Sequence, residues 1–423
     1  MDLQTKALHV GYEKDSQSTM AVPIYQTTAY DFGTADFAAS SFNLEQGTDN
    51  VYTRVGNPTN AILERRFAEV EGGSASLAVA SGMAAIFYSI LNIAESGDNL
   101  VVSNQLYGGT VTLFTQTLKK LGIEVKFFDI HSIKDIESLI DDKTKCIFFE
   151  SISNPSIDVP DFEQIISIAN KYNILTIVDN TVATPMLCQP LTIGADVVVH
   201  SASKYTTGQG TAIGGLIVER KELYKKIKNN SRYPYFNEPE SSYHGLIFAD
   251  SQVSEILFTF RARMVVLRDT GAVLSPFNGW LFIQGLETLY LRMNQHCQNA
   301  LEVAKWLESQ DIVVNVNYPL LKSNKNYKNS LKYLTKGASG LLSFEVKNLE
   351  IAKKIINKVE IFSIVANIGD SKSIITHPAS TTHQQLTNEE LIACGVPSGL
   401  IRISCGLESS KDLIADLKQA LEA

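Results

Sequence analysis

The chain has 423 residues, 44% hydrophobic and 19% charged, with 26 Gly, 12 Pro and a formal net charge of −8. This is the balance of a soluble globular protein of two or three domains with a substantial core, not of a disordered chain. No Lys/Arg block stands out, which argues against nucleic acid or an anionic membrane surface as partner.

Residues 1 to about 60 are rich in Gln, Thr, Ser, Asn and Gly and lack sustained periodicity. They read as an arm that packs on a neighbouring subunit rather than as a domain. From Ala61 to Val70 apolar residues recur at helical spacing, and Gly72-Gly73 supplies a stop. A main domain over 61–270 begins here. Within it short apolar runs alternate with amphipathic stretches: Ala75 to Ala80, Asn99 to Val102, Glu124 to Phe128, Cys146 to Phe149, Leu175 to Val178, Val197 to Val199 and Leu216 to Val218. Helices fit between most of them, as at Thr110 to Leu121 and Asp161 to Tyr172. The alternation predicts an α/β fold with a mainly parallel seven-stranded sheet covered on both faces, whose ligand lies outside the carboxyl ends of the strands.

The chemistry-bearing residues cluster where those runs end. Ser81-Gly82-Met83 leads from the first run into an alanine-rich helix start, where free amides and the positive end of the dipole suit a phosphate; a plain tight turn is the alternative. Tyr107, after the second run, offers a ring to a flat cofactor or is simply a half-buried loop tyrosine. Asn154, after Glu150-Ser151-Ile152-Ser153, presents an amide for a ring hydroxyl. The run at Ile174 to Val178 ends in Asp179, and Val197-Val198-Val199-His200-Ser201-Ala202-Ser203 ends in Lys204. Singly, Asp179 reads as a turn cap and Lys204 as a solvated lysine. Together they are what pyridoxal phosphate requires: an amine for a Schiff base and a carboxylate that keeps the ring nitrogen protonated. Ser201 and Ser203 add hydroxyls for the phosphate. The run Gly208-Gln209-Gly210 lacks the spacing of a dinucleotide fingerprint.

A polar stretch from Lys225 to about Ser242 reads as a surface insertion near the substrate entrance. Helical patterns from Ala249 to Leu307 lead into a smaller C-terminal α/β domain over 271–423, where Arg402 lies inside the apolar run Leu400-Ile401-Arg402-Ile403. An arginine there either faces outward or binds an anion, and its planar fork suits a substrate carboxylate. The seven histidines show no metal-ligand spacing, so no metal site is expected. His377 and His383 read as structural. Five scattered cysteines without a Cys-x-x-Cys pair, and a charged N-terminus, point to a reduced, cytoplasmic protein with no membrane span.

The segments Tyr52-Thr53-Arg54-Val55-Gly56-Asn57-Pro58, Ser81-Gly82-Met83-Ala84, Tyr107-Gly108-Gly109-Thr110, Asp179-Asn180-Thr181, Ser201-Ala202-Ser203-Lys204-Tyr205 and His377-Pro378-Ala379-Ser380-Thr381-Thr382-His383 resemble the cysteine/methionine-metabolism family of pyridoxal-phosphate enzymes over nearly the whole chain. The resemblance implies the PLP-dependent transferase fold of the aspartate aminotransferase type. It implies that Lys204 carries the cofactor, Asp179 pairs with its ring nitrogen and Tyr107 stacks on the ring. Ser81, Gly82, Met83, Ser201 and Ser203 would hold the phosphate, with Asn154 and Thr181 close by. Tyr52 and Arg54 would reach the phosphate of a neighbouring subunit, in a homotetramer built from catalytic dimers. Arg402 and Asn367 would bind substrate.

Within the family, Ala366-Asn367-Ile368-Gly369-Asp370 and the segment from Pro378 to Leu386 are most similar to the branch that exchanges the acetoxy group of O-acetyl-L-homoserine for sulfide or methanethiol. The implied reaction is a γ-replacement yielding homocysteine or methionine. Methionine γ-lyases usually place cysteine at Gly109, and they and cystathionine γ-synthases usually place serine at Asn367, so those activities are the alternatives. A non-catalytic ligand sensor is a remoter one.

Overall fold

The computed structural model describes residues 1–43, 50–251, 253–381, 384, 391 and 395–422. Seven strands, β1 (Ala75–Val79), β2 (Asn99–Ser103), β3 (Glu124–Phe128), β4 (Thr144–Glu150), β5 (Leu175–Asp179), β6 (Val197–Ser201) and β7 (Gly215–Glu219), form one sheet in the order β1-β7-β6-β5-β4-β2-β3. Strands β6, β5, β4, β2 and β3 pair in parallel, while β7 runs antiparallel to both β1 and β6. The mainly parallel sheet expected from the alternating runs is therefore present.

Both faces of this sheet are apolar and covered. Leu77, Val102, Phe148, Ile177, Val199 and Ile217 pack into one buried cluster, and Ala78, Val101, Phe149, Val178, Val198 and Val218 into another. Alternation of period two assigns every strand-end side chain to one cluster or the other. Glu150, Asp179 and Ser201 follow the first set, whereas Asn180 and His200 follow the second.

The helix Pro58–Glu71 lies under the second face and shows why its sequence folds locally. Pro58 occupies the first turn, the Asn57 side chain accepts the Thr59 amide, and Gly72 closes the helix at φ +81°. The arm before it is not wholly extended. It contains the helices Leu3–His9 and Ala35–Phe42, the first packed against Pro58–Glu71.

A second, five-stranded sheet has the order β10-β11-β12-β9-β8, built from β8 (Val313–Asn317), β9 (Leu341–Val346), β10 (Ser363–Ile364), β11 (Ile374–Thr376) and β12 (Leu400–Ser404). The helix Leu289–Leu307 packs on β8 and β9. The stretch from Lys225 to Ser242 departs from the surface insertion expected of it. Tyr233 and Phe236 are fully buried, and the Tyr233 hydroxyl accepts from the Leu175 amide and donates to the Lys145 carbonyl. It therefore plugs the amino ends of β4 and β5, opposite the strand ends that bear Glu150 and Asp179. The Lys and Asn residues around these aromatic rings concealed the plug. No helix among the described residues is long and apolar enough to cross a membrane.

Candidate active site

The carboxyl end of β1 turns at Ser81 into the helix Gly82–Leu91. The Ser81 hydroxyl accepts the Ala84 amide as an N-cap, which leaves the amides of Gly82 and Met83 without an acceptor among the described residues. A Cβ on Gly82 would lie 2.6 Å from Cβ of Ser201, so only glycine lets the end of β6 close on this turn. Two free amides, the positive end of a ten-residue helix and the Ser201 side chain make a concave donor set suited to a phosphate. The Ser203 hydroxyl accepts from Gly214 N at 3.0 Å and donates to Gly214 O.

Asp179 ends β5 half-buried. Burial raises its carboxyl above the usual range, and the Thr181 hydroxyl, the Thr181 amide at 2.9 Å and His200 pull it back. A cation on the open side would complete its ionisation. The Thr181 hydroxyl also accepts the Ser201 amide at 2.8 Å, tying the ends of β5 and β6 together. On the opposite face of the sheet, buried Glu71 holds His200 Nε2 at 2.8 Å and Asn180 Nδ2 at 3.3 Å, fixing the residues that flank Asp179 and Ser201.

Lys204 follows Ser201 in a tight turn. Its amine donates to Oδ1 of Asn367, and burial, helped by the charge of Arg402, lowers it from 10.5 to about 8. Arg402 on β12 is buried, and burial lowers even this guanidinium to about 10. It donates to Asn154 Oδ1 at 2.9 Å and to the Asn367 carbonyl at 3.0 Å. Among the described residues no carboxylate lies within ion-pair distance of it. A buried guanidinium satisfied only by neutral acceptors favours an incoming anion. Arg402 is thus inward-facing, and Asn154 is its support.

Tyr107, in the loop after β2, is 42% exposed, while its backbone amide is anchored on Glu150 at 2.6 Å. A Cβ on Gly109 would fall 2.6 Å from the Tyr107 ring, so that ring and a larger side chain at 109 compete for one space.

The strand ends thus gather Gly82, Met83, Ser201, Thr181, Asp179 and Lys204, and the second sheet brings Arg402 and Asn367 to Lys204 and Asn154. Tyr52 and Arg54 stand apart. The Arg54 guanidinium lies 5.1 Å from the centre of the exposed Tyr52 ring, and its buried Nε has no hydrogen-bond partner among the described residues. His377 is satisfied on both ring nitrogens, by Ser380 and by the Ser398 carbonyl; Thr382, His383, Gln385 and Leu386 lie outside the described residues. Sequence reasoning passed over Glu150, Glu71 and Arg292, whose guanidinium donates to the Tyr205, Thr206 and Gly285 carbonyls behind the lysine turn. Glu150 carried a usable signal: like Asp179, it is a carboxylate closing an apolar run.

An amine of lowered affinity for protons, a carboxylate open to a cation, a phosphate cradle that tolerates no Cβ and an aromatic ring match the reactive parts of pyridoxal phosphate. The family model described as Cys/Met metabolism PLP-dependent enzyme matches residues 4–422. The chain belongs to that family. Pyridoxal phosphate is its cofactor, and the residues present fit it.

The chain is 44% identical to the O-acetyl-L-homoserine sulfhydrylase of Leptospira meyeri, over 99% of this chain and 96% of that protein. It is 43% identical to the homocysteine synthase of Schizosaccharomyces pombe, over 99% and 98% respectively. A crystal structure from Campylobacter jejuni superposes with a TM-score of 0.97 at 52% identity, covering all of both chains, and contains N'-pyridoxyl-lysine-5'-monophosphate. The PLP-dependent transferase fold expected from the resemblance is thus the fold of this chain.

Proposed function

We propose that this enzyme converts O-acetyl-L-homoserine and sulfide, or methanethiol, into L-homocysteine, or L-methionine, and acetate. The observation that carries the reading is a buried Arg402 without a carboxylate partner beside an amine lowered to about 8. That pair suits an α-amino acid that presents its carboxylate to the fork and its Cα to the amine. The names of the Leptospira and fission-yeast relatives supply the substrate.

The cofactor, bound through Lys204, supplies an electron sink for negative charge at the substrate carbon. Arg402 receives the α-carboxylate in bidentate fashion, its orientation set by Asn154 and the Asn367 carbonyl. Asp179 keeps a proton on the ring nitrogen, and Tyr107 covers one ring face. Gly82, Met83 and Ser201 hold the phosphate, with Ser81 shaping the turn and Ser203 bracing the loop through Gly214. Once the substrate's amino group has taken its place on the cofactor, the Lys204 amine is free and, with its affinity for protons lowered toward neutrality, would take the Cα proton and return it after the acetoxy group has left and the sulfur has added. The Cβ proton lost with acetate is restored in the same way, so the net exchange is acetate for thiolate at Cγ.

This reading extends to organisation. The chain divides into an arm over 1–60, a cofactor domain over 61–270 and a small domain over 271–423. Tyr52 and Arg54 complete the phosphate site of a second copy in a homotetramer of catalytic dimers, and the enzyme works in the cytoplasm. The exposed Tyr52 and the unpartnered Arg54 Nε support that assignment.

The test is a steady-state panel with the purified enzyme: O-acetyl-L-homoserine with sulfide, methanethiol or cysteine, and methionine alone. Sulfide with the acetyl ester should give the highest kcat/KM. Faster formation of cystathionine from cysteine, or faster breakdown of methionine alone, would overturn the reading in favour of a related activity. The Tyr107 ring filling the space beside Gly109 weighs against the lyase.

A further inference from the structure

A second carboxyl group lies beside Asp179 with no part in the chemistry above. Glu150 closes β4 and is paired in register with Asp179 on β5, so the two side chains leave the same face of the sheet from adjacent parallel strands. Glu150 is buried, with 5% of its surface exposed, and no cation of the described residues reaches it. Its oxygens are used separately: Oε1 accepts the Tyr107 amide at 2.6 Å, and Oε2 accepts the Asn154 amide at 3.1 Å. Those two loops carry the aromatic ring and the asparagine that supports Arg402. They are joined a second time farther from the site, where Ser156 and Ser153 donate to Oε1 of Gln105.

We infer that Glu150 is a positioning residue of the active site, which fixes the Tyr107 ring through one main-chain amide and, through Asn154, the carboxylate fork of Arg402. Burial and the neighbouring Asp179 push its carboxyl well above the ordinary range.

The inference rests on the functional reading only in that Tyr107 faces the cofactor and Arg402 holds the substrate carboxylate. Glu150→Gln keeps volume but replaces one acceptor oxygen by an NH2 that opposes an amide N–H. Loss of one such buried hydrogen bond is expected to weaken pyridoxal phosphate binding to the apoprotein about tenfold and to raise KM for O-acetyl-L-homoserine about tenfold. It should also shift the cofactor's visible band, while KM for sulfide stays unchanged. Glu150→Asp, one methylene shorter, reaches one amide but not both, and should give the same pattern.

A residue that only stabilises the fold would lower the melting temperature and leave the cofactor dissociation constant, the band position and the ratio of the two KM values alone. That result overturns the inference, as does wild-type behaviour of both variants. Failure of both to fold, with Lys204→Ala folding normally, assigns Glu150 to the fold and overturns it too. A wild-type protein with no visible band, or inactive on the acetyl ester, would instead sink the functional reading.

Discussion

Two aspartates at opposite ends of neighbouring strands of one sheet, Asp196 buried and Asp179 half-buried, are treated in opposite ways. Asp196, just before the amino end of β6, meets Lys226 at 2.7 Å, Arg220 at 3.0 Å and the Thr176 amide at 2.9 Å. Asp179, at the carboxyl end of β5, has one backbone amide and one hydroxyl, no ion pair among the described residues, and a carboxyl raised by burial. Lys204 and Arg402 repeat the contrast from the cationic side, since both hold neutral oxygens and both are lowered. One end of the sheet is electrostatically complete without a ligand. The other keeps its charges under-compensated, as expected of an end that receives a charged cofactor and substrate.

Substitutions at the two ends should therefore fail differently. Lys204→Ala removes both the attachment point and the base, and is expected to lower kcat by more than about 10⁴-fold and abolish the visible cofactor band, with an unchanged melting temperature for the apoprotein. An active variant would refute the assignment. Asp179→Ala should retain some cofactor and lose about 10²- to 10³-fold in kcat, the loss expected for leaving a buried ring cation unpaired. Near-normal turnover would contradict its pairing with the ring nitrogen.

Arg402→Lys replaces a planar fork by a point charge. KM for O-acetyl-L-homoserine should rise about 10- to 100-fold, with a smaller change in kcat and none in cofactor affinity. The smallest effect on turnover belongs to the complete end. Asp196→Ala strands Lys226 and Arg220 and should cost about 3 kcal/mol of stability by denaturant titration, yet leave kcat and both KM values within about twofold. A comparable loss of activity there would dissolve the distinction between the two ends.

Much of this was legible in the residues themselves. Apolar runs gave the seven strands because burial on both faces leaves a continuous hydrophobic signature, and the first polar residue after a run marks where the chain leaves the core. Asp179, Ser201 and Lys204 were found that way. Glu150 ends a run just as they do, but the Ser-Ile-Ser-Asn-Pro that follows reads as a turn, and nothing local tells that its oxygens bind two amides from separate loops. Tyr233 and Phe236 were misplaced for the converse reason, being aromatic anchors set in polar sequence. The neutral supports of Arg402, Asn154 and the Asn367 carbonyl, depend on a contact between two sheets that no periodicity reports. Ser203 shows what a motif leaves out: its hydroxyl also bonds Gly214 on both its amide and its carbonyl.

The central claim is that Lys204 alone bonds covalently to pyridoxal phosphate. Borohydride reduction of the holoenzyme followed by peptide mapping tests it most directly. The account predicts one stable pyridoxyl adduct, on the peptide containing Lys204, with loss of the visible band in step with loss of activity. An adduct on another lysine, or full activity after reduction with Lys204 unmodified, would contradict it.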